Sequence, residues 1–210
     1  MSTQPRQLTR KKDRGLTDRT ELYDILDSTL VGTLTTVDAD GLPVSVPVLY
    51  ARDGDRILVH GSTGAGAFRR AAHGAPVAFC VAEMDALVVA ATLFDSSANY
   101  RSAVVNGVAR TLDGDSAVVA LTTLSEVLLP GRTTEVRGHL PKEVAATLVL
   151  ALDIVDGEWT AKRRVGGAGD GPEPGVWRGV VPVVRGWGAP IAEAGTDAEV
   201  PASVRDLIAG

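Results

Sequence analysis

His60-Gly61-Ser62-Thr63-Gly64-Ala65-Gly66-Ala67-Phe68-Arg69-Arg70 is the stretch from which the rest of the chain is best read. Ahead of it, Arg56–His60 alternates apolar residues as a short strand does. Behind it, Ala65–Ala72 is rich in Ala and Arg and reads as a helix. The loop between them is glycines and hydroxyls, a composition that lets backbone N–H groups approach a phosphate. An ordinary strand-to-helix turn has the same spacing. Gly61 and Gly66 mimic the two glycines of a P-loop, but Ala67 stands where that motif needs lysine, which excludes an NTPase of that type.

Working outward, Val31–Val37, Leu42–Tyr50 and Arg56–His60 read as strands joined by the turns 38–41 and 52–55. Val44, Val46, Val48 and Tyr50 share one face; Pro43, Ser45 and Pro47 share the other. Two prolines in one strand mark an edge or a bulge, because neither can donate to a ladder. Upstream, Asp18-Arg19-Thr20-Glu21 resembles an N-cap with its Glu three residues on, and predicts a helix over Arg19–Ser28. Downstream, Pro76–Glu83, Asp85–Thr92 and Asn99–Arg110 read as three more strands. Asp113 opens a helix whose stripe is Val118, Leu121, Leu124 and Leu128, ended by Pro130-Gly131. Pro141–Ala146 reads as one helical turn, and strands follow at Leu148–Ile154 and Trp159–Val165. Residues 166–175 form a Gly/Pro linker, and Trp177–Val184 is apolar enough to dock. The expected fold is α+β and mainly β: an antiparallel barrel with flanking helices. Residues 1–17 read as a flexible basic arm, 18–184 as the domain and 185–210 as a C-terminal tail.

Composition narrows the function. A net charge of −5 over 210 residues argues against nucleic acid as a partner. The sequence shows neither an apolar run of bilayer length nor a leader, so no membrane and a cytoplasmic location are expected. Cys80 lies alone in an apolar run and reads as a core thiol. His60, His73 and His139 are far apart and lack ligand spacing, so no metal site is expected and His60 is the one imidazole near the loop. Residues 167–171 fail the dinucleotide fingerprint, with Pro172 at the third glycine. The surviving features are the loop and the strand cations Arg101, Lys162 and Arg164.

Several short motifs follow one another in a telling order. They are Gly32-Thr33-Leu34-Thr35-Thr36; Asp40-Gly41-x-Pro43-x-x-x-Pro47; and Asp53-Gly54-Asp55 with His60-Gly61-Ser62. Then come Asn99-Tyr100-Arg101-Ser102, Pro130-Gly131-Arg132, Ala161-Lys162-Arg163-Arg164 and Val176-Trp177-Arg178-Gly179-Val180. In this order they resemble the pyridoxamine-phosphate-oxidase-like flavoproteins, most of all the nitroimidazole-resistance branch, over about residues 17–182. The resemblance implies a split antiparallel β-barrel homodimer with FMN in clefts at the subunit interface. It assigns the FMN phosphate to His60, Ser62, Thr63 and Arg69, and the flavin ring to Pro47, Val48 and Leu49. Asn99, Tyr100, Arg101 and Ser102 match the interface strand, Lys162 and Arg164 the basic final strand, and Trp177 the C-terminal segment. Two departures stand out. This chain has Gly66 where the branch often has arginine after the loop, and Asp95-Ser96 where it often has a His-His pair.

The implied function is an FMN-dependent oxidoreductase that takes electrons from a reduced nicotinamide nucleotide and passes them to a small acceptor such as a nitroaromatic. His60 is the candidate for an acid–base role. The alternative is a non-catalytic flavin, deazaflavin or haem carrier of the same fold.

Overall fold

The computed structural model describes residues 11–169 and 175–209. Ten strands run through it: β1 (Gly15–Leu16), β2 (Val31–Val37), β3 (Pro43–Asp53), β4 (Arg56–Ser62) and β5 (Pro76–Val89) come first. β6 (Ser97–Val108), β7 (Arg110–Leu112), β8 (Thr147–Asp153), β9 (Trp159–Arg164) and β10 (Gly179–Pro182) follow. The helices are α1 (Arg19–Leu26), α2 (Gly66–Ala72), α3 (Gly114–Leu128), α4 (Arg132–Glu135), α5 (Pro141–Ala145) and α6 (Ala202–Ala209). Hydrogen-bonded neighbours follow the order β1-β9-β6-β5-β2-β3-β4-β8-β7, with β10 added along the far half of β5. The pairings are antiparallel, and the order does not close on itself. The fold is therefore a split barrel of α+β class with flanking helices.

Local chemistry sets the turns. The Asp38 carboxylate accepts from the N–H groups of Asp40 (3.0 Å) and Leu42 (2.8 Å), and Gly41 takes φ +80°, which closes the β2–β3 hairpin. Asp18 caps α1, its side chain accepting from the Thr20 N–H at 2.8 Å, and Leu22, Ile25 and Leu26 of that helix are buried.

Two apolar cores result. Inside the barrel, α1 and Phe68 of α2 pack with Leu34, Tyr50, Val59, Phe79 and Leu150. Outside β3, β4 and β8, the helix α3 covers Ala51, Leu58, Val149 and Ala151. β8 is thus buried on both faces, which accounts for its unbroken apolar run.

The other outward face is left bare. Along β3, β2, β5, β6 and β9 it carries Pro47, Thr33, Cys80, Val104 and Thr160 in register, with Leu49, Ala82, Met84, Tyr100, Ser102 and Lys162 beside them. None of these residues is buried, whereas their alternates Leu34, Phe79, Val81, Ala103, Val105 and Ala161 are.

Four expectations need correction. Pro76–Glu83 and Asp85–Thr92 are one strand, β5, with a bulge at Asp85 between the paired Met84 and Ala86. The run expected to reach Arg110 ends at Val108, and Arg110–Leu112 leaves for a different neighbour, β8. In α3 the buried residues are Ala117, Ala120, Leu121 and Leu124, while Val118 and Leu128 are exposed. The helix turns its small side toward the sheet, because two alanines allow close approach. Finally, the sequence reading contains no helix after residue 184, yet α6 forms there. At the other end, Gly15–Leu16 pairs with β9, while residues 1–10 of the expected arm and Asp170–Pro174 of the linker lie outside the described residues. No helix among the described residues is long and apolar enough to cross a membrane.

Candidate functional site

Alternation along β4 sends Leu58, His60 and Ser62 to the α3 side and Ile57, Val59 and Gly61 into the barrel. His60 pairs with Val149 and Ser62 with Thr147 of β8, so His60, Ser62 and Thr147 share one edge. That edge borders a cleft of about 220 Å³. Its apolar walls are Leu49 of β3 and Leu121, Leu124 and Leu128 of α3; its polar groups include His60, Ser125, His139, Glu143 and Thr147.

The segment between α4 and α5 brings His139 to this cleft, and a carboxylate fixes that segment. Glu143 accepts from both guanidinium nitrogens of Arg137 (2.9 and 2.6 Å) and from the Leu140 N–H (2.9 Å). These bonds, with Arg137 contributing most, hold its carboxyl down at about 2. His60 is exposed along the open side of the strand, and the partial desolvation of its imidazole by the cleft walls, with the nearby His139 acting the same way, pushes its pKa below the ordinary value. Tyr50, at the base of the cleft, donates its hydroxyl to the Leu26 carbonyl, and burial raises its pKa well above that of an ordinary phenol.

The loop after β4 is a tight turn. The Ala65 N–H reaches the Ser62 carbonyl at 2.9 Å, and the Gly64 N–H reaches the Ser62 hydroxyl at 3.2 Å. Gly61 fits closely against α2: a Cβ there would lie 3.0 Å from the Phe68 ring, which would have to give by a few tenths of an ångström. Ser62, Thr63 and Arg69 are exposed. Arg70 folds back along α2, with Nη1 3.3 Å from where a Cβ of Gly66 would sit. Its Nε is buried without a hydrogen-bond partner among the described residues.

The sequence-derived candidates divide among these places. His60, Ser62, Thr63 and Leu49 lie along the cleft and its loop, with Arg69 on the helix behind. Pro47, Tyr100, Ser102 and Lys162 lie on the bare outward face. Val48 packs against the barrel core. Arg101 also lies on the barrel side; it pairs with Asp85 and donates to the Ser28 hydroxyl at 3.1 Å. Asn99 is buried: its amide donates to the Gly166 carbonyl (2.9 Å), and its oxygen accepts from Arg164 (2.7 Å). Trp177 is exposed, and its ring covers Gly179, where a Cβ would come within 2.7 Å. The expectation that His60 is the one nearby imidazole is corrected by His139, which no spacing rule links to it. The one sequence clue to His139 is its place between Arg137 and Glu143, a fork that only the fold reveals. Among the described residues, no group of three or more His, Cys, Asp or Glu is arranged to hold a metal ion.

The profile of the family described as Pyridoxamine 5'-phosphate oxidase matches residues 18–161. The chain belongs to that family. Among solved structures, the FAD and haem binding protein from Mycobacterium smegmatis shares 39% identity at a TM-score of 0.89, over 93% of this chain and 97% of that one. The flavocytochrome Anf3 from Azotobacter vinelandii shares 26% identity at a TM-score of 0.85, over 95% and 94% of the two chains. A 5-nitroimidazole antibiotic resistance protein from Bacteroides thetaiotaomicron shares the fold, with 16% identity and a TM-score of 0.60 over 71% and 86%. No curated protein matches the chain by sequence.

Proposed function

We propose that this member of the pyridoxamine 5'-phosphate oxidase family binds a flavin nucleotide and acts as an oxidoreductase on a small acceptor. One observation carries the reading: β4 joins an apolar, imidazole-lined cleft directly to a loop of hydroxyls, glycines and arginines. The donor set fits a phosphorylated, planar group. Ser62 and Thr63 offer hydroxyls and Arg69 and Arg70 offer guanidinium groups, while Leu49 and the α3 leucines offer apolar walls.

When bound, the flavin supplies hydride and one-electron chemistry, drawn from a reduced nicotinamide nucleotide. The chain's own residues bind and orient. With its pKa held below the ordinary value, the His60 imidazole can accept a proton or donate a hydrogen bond at the cleft wall. The leucines of α3 keep water from that wall. The flavin is FMN by family resemblance and FAD by likeness to the 39%-identical protein; the loop serves the phosphate common to both. The bare outward face takes a second copy of the chain, giving a homodimer that covers Pro47, Tyr100, Ser102 and Lys162.

A second reading has its own support. His60 and His139 line one leucine-walled cleft, which is donor chemistry suited to haem iron, and the 39%-identical protein binds haem as well as FAD. The visible spectrum of protein offered FMN, FAD and haemin, taken before and after denaturation, tests both. Bound and then released flavin supports the first reading, and a Soret band lost in His60→Ala supports the second. A colourless protein overturns both.

A further inference from the structure

We propose that Arg70 is the cation that grips the flavin phosphate at the loop that follows β4. The proposal rests on the flavin reading of the loop. Arg70 sits one helical turn after Gly66, and a helical side chain leans back toward the N-terminus. Its guanidinium lies against the first turn of α2, with Nη1 at 3.3 Å and Nη2 at 4.0 Å from the Cβ position of Gly66. A side chain at 66 would require that guanidinium to shift by a few tenths of an ångström. The glycine leaves the Arg70 guanidinium free room over the first turn of α2, beside the loop.

The guanidinium also has nothing else to do. Nε is buried and unpartnered, and no carboxylate pairs with Arg70 among the described residues. A half-buried cation with an unspent donor is costly unless a ligand satisfies it. A planar fork of donors matches phosphate oxygens two at a time, which a lysine cannot do. Arg69 next to it is exposed and faces solvent. The site is thus built on a side chain and two hydroxyls, Ser62 and Thr63, and not on the end of a two-turn helix.

The test uses the full chain stripped of bound cofactor, as parent, Arg70→Gln and Arg70→Lys. Affinities for FMN, FAD and riboflavin are measured by flavin fluorescence, and a thermal melt confirms that each variant is folded. Arg70→Gln is expected to weaken FMN and FAD at least tenfold and riboflavin less than twofold; Arg70→Lys falls between. Equal losses for riboflavin and FMN, or no loss for FMN, overturn the proposal while leaving flavin binding intact. If the parent binds no flavin at all, the flavin reading falls, and inorganic pyrophosphate becomes the probe. A pyrophosphate-dependent shift of the Arg70 Nε–H resonance then upholds Arg70 as a phosphate ligand; an unmoved resonance overturns it.

Discussion

His60 and His139 meet across a cleft although no sequence rule pairs them, and their proximity has a measurable consequence. Burial first, and His139 second, lower the His60 pKa below 6.5. Between that lowered value and 6.5 the unfolded chain binds more protons than the folded one, so stability falls as pH drops through this window. In urea unfolding at several pH values between 7 and 5, His60→Gln should show a shallower loss of stability than the parent; an identical slope would leave the histidine uncoupled. Gly32 is the second residue whose role appears only in three dimensions. A Cβ there would lie 2.2 Å from Cζ of Phe79, a ring that is 1% exposed and set edge-on to Tyr50 at 4.8 Å. The ring has no room to retreat, so Gly32→Ala should cost about 1–3 kcal/mol, the scale of core overpacking. Chemical denaturation reads this directly, and a cost within error of zero would mean that the core repacks freely. The sequence reading found His60 because it ends a strand at a glycine loop. It missed His139 and Arg70, whose places depend on how the segment between α4 and α5 and the helix α2 are set.

Among the elements, those with strict alternation or a cap were readable, and those defined by a distant partner were not. β2 matches its expected span because seven residues alternate between the end of α1 and the 38–41 hairpin turn, and α1 starts where Asp18 caps it. The bulge in β5 was misread as a break, since an extra residue inverts the alternation in the same way a turn does. α6 was unreadable because its docking is a polar contact. Oε1 and Oε2 of Glu135 accept from the Ser203 N–H (3.0 Å) and hydroxyl (2.6 Å), and Ser203 is its one buried residue. Those two bonds, with the Ser203 hydroxyl foremost, bring the Glu135 carboxyl down to about 2. Because its pKa is depressed from 4.5, the stabilisation is complete above pH 4.5 and is lost as pH falls toward 2. α4 leads directly into the segment that carries Arg137 and His139. Glu135→Gln should therefore speed amide hydrogen exchange in both α6 and residues 136–140. Faster exchange in α6 alone would show that the C-terminal helix and the cleft wall move independently.

At the scale of the whole molecule, the physical question is what covers the outward face of β3, β2, β5, β6 and β9. A monomer can leave single apolar side chains in water, but a contiguous patch across five strands marks an interface. Val31 is 52% exposed, Leu49 43% and Met84 42%, with Cys80, Ala82, Tyr100 and Ser102 between them. The small residues Ala78, Cys80 and Ala82 make the middle of the face low, which suits close approach of a second flat surface. Lys162 and Arg164 lie on the flanking strand β9, away from that middle, so two copies related by a two-fold axis need not bring like charges together at the centre. A stable pairing of this kind buries about 800 Å² from each partner, within the reach of a five-strand face. Ala82 is the place to test it, because it is exposed, sits mid-face beside Ser102, and makes no hydrogen bond with its methyl group. Ala82→Arg adds a long charged side chain that a monomer tolerates in solvent and a face-to-face dimer cannot bury. Light scattering should find the parent dimeric at micromolar concentration and Ala82→Arg monomeric, with an unchanged far-ultraviolet spectrum. If flavin is held between subunits, the monomeric variant should also lose flavin affinity. If it stays fully loaded, the cleft along β4 suffices without a partner; a parent that is itself monomeric would leave the face to some other occupant.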